Sequence, residues 1–209
     1  MPVLSQARAT LGPMIVTMPE AVIVGVVSVF LFLALCAALV LVTISLRRPA
    51  NLPLLAAAIL VVLCLLAVVV LPWNVPLVVG LALAALGTAL AALGGDPITR
   101  RVLDIATHGT VRDGVHGGIL VDDADGSGED AVHEVMRGGT TIGYLERLGA
   151  LIAIVAGFPE AIAVIVAVKG IGRFSELASP AARERFIIGT LASLLWACVV
   201  GGLVRLAIW

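Results

Sequence analysis

The sequence predicts an all-α, polytopic membrane bundle, and three observations carry that prediction. Of 209 residues, 61% are hydrophobic and only 13% charged, with a mean hydropathy of +1.16. A soluble domain averages about 25% charged residues. The apolar residues gather in runs near the ~20 residues needed to cross a hydrocarbon core, so the lipid bilayer is the expected surrounding. Eleven of the thirteen basic residues fall on one side of the bundle that those runs would make, as the positive-inside rule requires.

The first span is expected at 21–46. "TMPE" precedes it, with Thr17 and Glu20 at capping-box spacing and Pro19 in the first turn. Arg47, Arg48 and Pro49 stop it. The second span is 54–71, ended by Pro72, and Trp73 in the turn suits a membrane interface. The third is 76–93. "GGDP" then reads as a break, with Asp96 an N-cap and Pro97 the first residue of a short amphipathic surface helix over 97–107.

The main polar segment follows, 108–141. "GGILV", "DDADGSGED" and "AVHEVM" read as a strand, an acidic turn and a return strand. The run from 142 to 174 has 33 residues, too long for one crossing, and "GFPE" at 157–160 interrupts it. It predicts a helical hairpin, 142–156 and 160–174, before a last span at 186–208. Three regions follow: a three-helix membrane region (1–94), a cytoplasmic polar segment (95–141), and the hairpin with the final span (142–209).

Six spans place Arg47, Arg48, Arg100, Arg101, Arg112, Arg137, Arg147, Lys169, Arg173, Arg183 and Arg185 on one side. Only Arg8 and Arg205 remain opposite. A single kinked helix over 142–174 would separate Arg183 and Arg185 from the rest, so the charges favour the hairpin. The basic side is taken as cytoplasmic, with both termini outside.

The hairpin carries the candidate site. Glu146 lies twelve residues before Phe158 and Lys169 eleven after it. At about 1.5 Å per residue both are about 17 Å from the tip, within a core about 30 Å thick. A lone charge there is costly, so a Glu146–Lys169 pair with Arg147 and Arg173 nearby is expected. Two readings stay open: a staple that snorkels to the interface, or a polar site open to water or ligand.

Gly189, Ser193, Ala197 and Gly201 recur every four residues in the last span, a small-residue stripe that admits a close helix. Gly80, Ala84, Thr88 and Ala92 do the same in the third. Either stripe serves bundling or self-association. Cys36, Cys64 and Cys198 sit singly in apolar runs and read as packing residues. Asp123, Asp125, Ser127, Gly128 and Glu134 fit a bare calcium-loop pattern, but no helix enters it. His108, His116 and His133 are 8 and 17 apart, spacings that match no metal motif. No metal or cofactor is therefore expected. No nucleophile elbow, phosphate loop or dinucleotide fingerprint occurs, so no enzyme is expected. The net charge of −1 argues against nucleic acid as a partner.

The stretches "GGTTIGYLERLGALIAIVAG", "EAIAVIVAVKGIGRFSEL" and "ERFIIGTLASLLWA" resemble the membrane portion of an uncharacterised bacterial family, a domain of unknown function, over about residues 138–200. The resemblance implies a multi-pass protein of the bacterial cytoplasmic membrane. It singles out Glu146, Arg147, Lys169, Arg173, Glu184 and Gly189. It brings no activity. The expected function is small-solute or ion movement through the charged level. The alternative is a structural or accessory subunit that meets a second copy or a membrane-protein partner.

Overall fold

The computed structural model describes residues 3–47, 51–71, 74–107, 112–113, 119–120, 134–135, 139–172 and 180–209. Within them the chain forms six helices: α1 (Val3–Arg47), α2 (Asn51–Val70), α3 (Leu77–Ala106), α4 (Gly139–Val155), α5 (Ala161–Gly172) and α6 (Pro180–Ile208). Three two-residue strands lie between α3 and α4: β1 (Arg112–Asp113), β2 (Ile119–Leu120) and β3 (Glu134–Val135). They pair antiparallel in that order, and Ile119 sits opposite Val135. The strand and return strand expected around the acidic turn are therefore present. The calcium-like turn, apart from Glu134 in β3, and the three histidines lie outside the described residues, as does Arg173.

The molecule is a helical bundle in which four helices are long and apolar enough to cross a membrane: Glu20–Arg47, Asn51–Val70, Leu77–Ala106 and Ala182–Ile208. Helices α4 and α5, of 17 and 12 residues, form a shorter hairpin beside them. Its turn at 156–160 is held by Gly157, whose φ of 79° favours a residue without a Cβ.

An antiparallel pair, α3 and α6, is the centre. The α1–α2 hairpin covers one side, with α1 on α3 and α2 on α6, and α4 packs into the α3–α6 groove on another. Helix α5 leans mainly on α4 and has no buried residue. The core joins Leu31, Leu35, Ala38, Val61, Cys64 and Val68 of the first hairpin to Leu83, Leu90, Val200 and Leu203 of the central pair.

Three expectations need correction. The first helix does not start at Thr17–Glu20: α1 is one helix of 45 residues from Val3. At about 1.5 Å per residue it outruns a core of about 30 Å. Pro13 and Pro19 each leave one carbonyl of this helix without its usual N–H donor.

The second correction is at "GGDP". There is no break and no separate surface helix at 97–107; α3 runs on to Ala106 with Pro97 inside it. Proline at that place leaves the carbonyl of Leu93 without its usual donor and costs about 3 kcal/mol in an isolated helix. Packing overrides it. Gly94 and Gly95 just before Pro97 are both buried, against Trp196 and Arg147 respectively. Asp96 is thus an interior helical residue and not a cap, and the 94/95 regional boundary falls in the middle of a helix.

The third correction concerns the stripe on α3. The face packed against α6 is Gly80, Gly87 and Gly94, seven residues apart, and of the expected stripe only Gly80 shares it, Ala84, Thr88 and Ala92 being half-buried. A Cβ built at Gly87 would fall 2.5 Å from Val204, and one at Gly94 2.6 Å from Trp196 Nε1. Steps of four residues rotate about 40° off the contact line each time, whereas steps of seven lose only about 20°. Trp196 uses the approach to donate from Nε1 to the Leu90 carbonyl at 3.0 Å.

Candidate functional site

Helix α4 buries Gly143, Glu146, Arg147, Ala150 and Leu151. These positions have the i, i+3, i+4, i+7, i+8 spacing of an apolar stripe. Two of them carry charges. Glu146 is 5% exposed and Arg147 1%. Adjacent residues on a helix point about 100° apart, so the two side chains reach different neighbours.

Glu146 turns to α5. Its Oε2 lies 2.5 Å from Lys169 Nζ, while its Oε1 has no hydrogen-bond partner among the described residues. The Lys169 ammonium also sits 5.6 Å from the centre of the Phe186 ring of α6, a cation–π distance. Gly149 allows the two helices of the hairpin to close: a Cβ there would lie 2.9 Å from Ile165.

Arg147 turns to the central pair. Its Nη1 donates to Asp96 Oδ1 at 2.9 Å and to Ser193 Oγ at 3.2 Å. It is the largest fully buried side chain among the described residues. Its guanidinium carbon lies 4.9 Å from the centre of the Tyr144 ring. Two glycines make room for it. A Cβ on Gly95 would collide with its Cδ and come within 2.6 Å of Nε and Nη1, and one on Gly143 would touch Nη1 at 3.4 Å. Nε and Nη2 find no hydrogen-bond partner among the described residues.

Beyond Asp96 there is open space. A cavity of about 440 Å³ is lined by Ser45, Leu46, Asn51, Leu54, Asp96, Pro97, Arg100, Arg101 and Asp104. It lies where the last turn of α1 and the first turn of α2 meet the second half of α3, at the end of the bundle that also holds Arg47, Lys169, Arg183 and Arg185. Arg101 and Asp104 bridge each other at 2.6 Å on its wall. Neither Glu146 nor Lys169 lines it. Asp96 is the link, since its side chain keeps 28% exposure while holding Arg147, itself 2% exposed in its side chain.

The opposite end of the bundle holds a single described basic side chain, Arg205. Its Nη1 donates to the carbonyls of Ile154 at 2.9 Å and Val155 at 3.4 Å, capping the last turn of α4. The Val75 N–H donates to the Ala207 carbonyl and the Asn74 amide to that of Trp209, so the residues leading into α3 close the end of α6.

The stripe on α6 points into the bundle. Ser193 holds Arg147, and Ala197 is fully buried. A Cβ added to Gly201 would meet Leu151 and Ile154 of α4, and one on Gly189 would meet Thr99 and Leu103 of α3. Glu184 is exposed. Asp96 is the member of the charged level that sequence reasoning does not find, because "GGDP" has the form of a helix start. The usable signal is a lone acid directly after the pair Gly94–Gly95, at the end of an apolar run. Only the continuity of α3 gives that signal its meaning.

Compared with protein-family models, curated proteins and solved structures, the chain matches none.

Proposed function

We infer that this is a non-enzymatic membrane protein that binds a small polar solute at its basic end and moves it past the Asp96–Arg147 pair. One observation carries the reading: Asp96 belongs both to the wall of the 440 Å³ cavity and to the ion pair of a buried arginine. Ionisable side chains at membrane depth that meet a water-accessible space are the usual elements of solute pathways. Glu146 and Lys169, remote from that cavity, act in this reading as the staple of the hairpin. The positive-inside rule puts the cavity on the cytoplasmic side, with both termini outside. The likeness of residues 138–200 to an uncharacterised bacterial membrane family is the reason for assigning the bacterial cytoplasmic membrane.

The alternative, an accessory subunit that docks through the α6 stripe, has less support, because Ser193, Ala197 and Gly201 are already packed within the chain.

The test is solute flux into proteoliposomes carrying the full chain, followed by light scattering with a panel of a cation, a neutral polyol, a carboxylate and phosphate. At least one solute should enter several-fold faster than in protein-free liposomes, and Asp96→Asn should change that rate. Equal rates for every solute with and without protein would end the movement reading.

A further inference from the structure

We propose that Arg147 is an oxyanion-binding residue, taking a small carboxylate or a phosphate-type group on its Nε–Nη2 edge. The inference rests on the functional reading above and names the solute class for that site.

A guanidinium has two binding edges. Nη1, beside Cδ, is here engaged by Asp96 and Ser193. Nε and Nη2 lie together on the other edge, and their two parallel N–H groups match the two oxygens of a carboxylate or phosphate. Both are buried and have no partner among the described residues. Leaving two charged donors unpaired costs more than leaving neutral ones. An arginine that is 1% exposed and yet keeps this edge unpaired is arranged as a receptor, held in place from its opposite side.

The surroundings suit an exchange. Gly95 and Gly143 carry no side chain beside the guanidinium, and the arginine fills the space they leave, so its position is set by close packing. Asp96 already reaches the cavity, and swinging its carboxylate outward would release Nη1 and let the open edge follow. The cavity wall carries Arg100 and Arg101 beside Asp96 and Asp104, so charge of both signs meets an entering solute. Lysine in place of Arg147 would keep the charge and lose the fork.

The experiment is a thermal-shift and calorimetric titration of the full chain in phosphatidylcholine nanodiscs with acetate, phosphate and chloride at constant ionic strength. Acetate or phosphate should stabilise the protein and chloride should not, because a single-atom anion cannot span the edge. Arg147→Lys should weaken binding about tenfold or more. If that variant does not fold, Asp96→Asn decides: removing the competing carboxylate should tighten binding several-fold. Stabilisation that appears only when phosphatidylglycerol is added to the nanodiscs identifies the oxyanion as a lipid headgroup; stabilisation by the soluble anions identifies a free solute. Equal responses to chloride and the oxyanions, an unchanged affinity in Arg147→Lys, or no tightening in Asp96→Asn would each overturn the proposal. Flux of a cation or polyol without oxyanion binding would sink this inference and leave the movement reading standing. Oxyanion binding without flux of any solute would do the reverse.

Discussion

Glu146 and Arg147 are neighbours in sequence and act in different places. Glu146 meets Lys169 within one hairpin, away from the cavity, with Lys169 17% exposed in its side chain. Arg147 meets Asp96 and Ser193 on two other helices, and Asp96 opens onto a polar cavity. The difference teaches that a charged dipeptide in an apolar helix is two observations. About 100° of rotation separates a pair that closes a local turn of structure from one that ties three helices to a solvent-facing space.

The largest effect expected is on the Glu146 side. Glu146→Gln and Lys169→Met should each destabilise the protein in detergent by about 3–5 kcal/mol, and the double variant should recover much of the loss. Chemical denaturation of the four proteins measures the coupling. Additive losses would show that the pair is not a closed staple.

On the Arg147 side, Gly95→Ala should cost about 1–3 kcal/mol, because the new methyl displaces the guanidinium from Asp96 and Ser193. Gly202→Ala, where nothing lies within 4 Å, is the matched control and should change the melting temperature little. Equal behaviour of the two variants would mean that Arg147 does not need the space that Gly95 leaves.

Ser193→Ala should cost about 1 kcal/mol through loss of the 3.2 Å hydrogen bond to Arg147. It should also leave the Glu146–Lys169 coupling unchanged, which a repeat of the double-mutant cycle in that background would read. The smallest effect is expected for Asp104→Asn. Its bridge to Arg101 is half-exposed, and such pairs contribute about 0–1 kcal/mol. A larger loss would show that the cavity wall is structural.

Much of the helical arrangement is legible in the sequence, and the reasons are particular. The apolar runs end at Arg47 and Pro72, and 33 residues around "GFPE" are too many for one crossing. Counting from Phe158 brings Glu146 and Lys169 to one depth, where the two meet. The rest depends on contacts that no local pattern records. Pro97 looks like a helix start until Trp196 and Arg147 are seen packed on the glycines before it. Gly80, Gly87 and Gly94 are hidden among many small residues, and only the partner helix picks out the period of seven. Asp96 is legible as an acid but not as the partner of an arginine 51 positions away.

Arg205 has a consequence for how the protein is made. It comes 51 residues after Ile154, yet it satisfies the carbonyls of Ile154 and Val155 in α4. Ser193 likewise comes late, and it supports Arg147. When the α4–α5 hairpin is made, its internal charge pair and the Asp96 partner of Arg147 are already available, whereas the carbonyls of Ile154 and Val155 wait for α6. The hairpin is thus a dependent unit: its charge pair is internal, but the carbonyls that end α4 are satisfied by a side chain of α6.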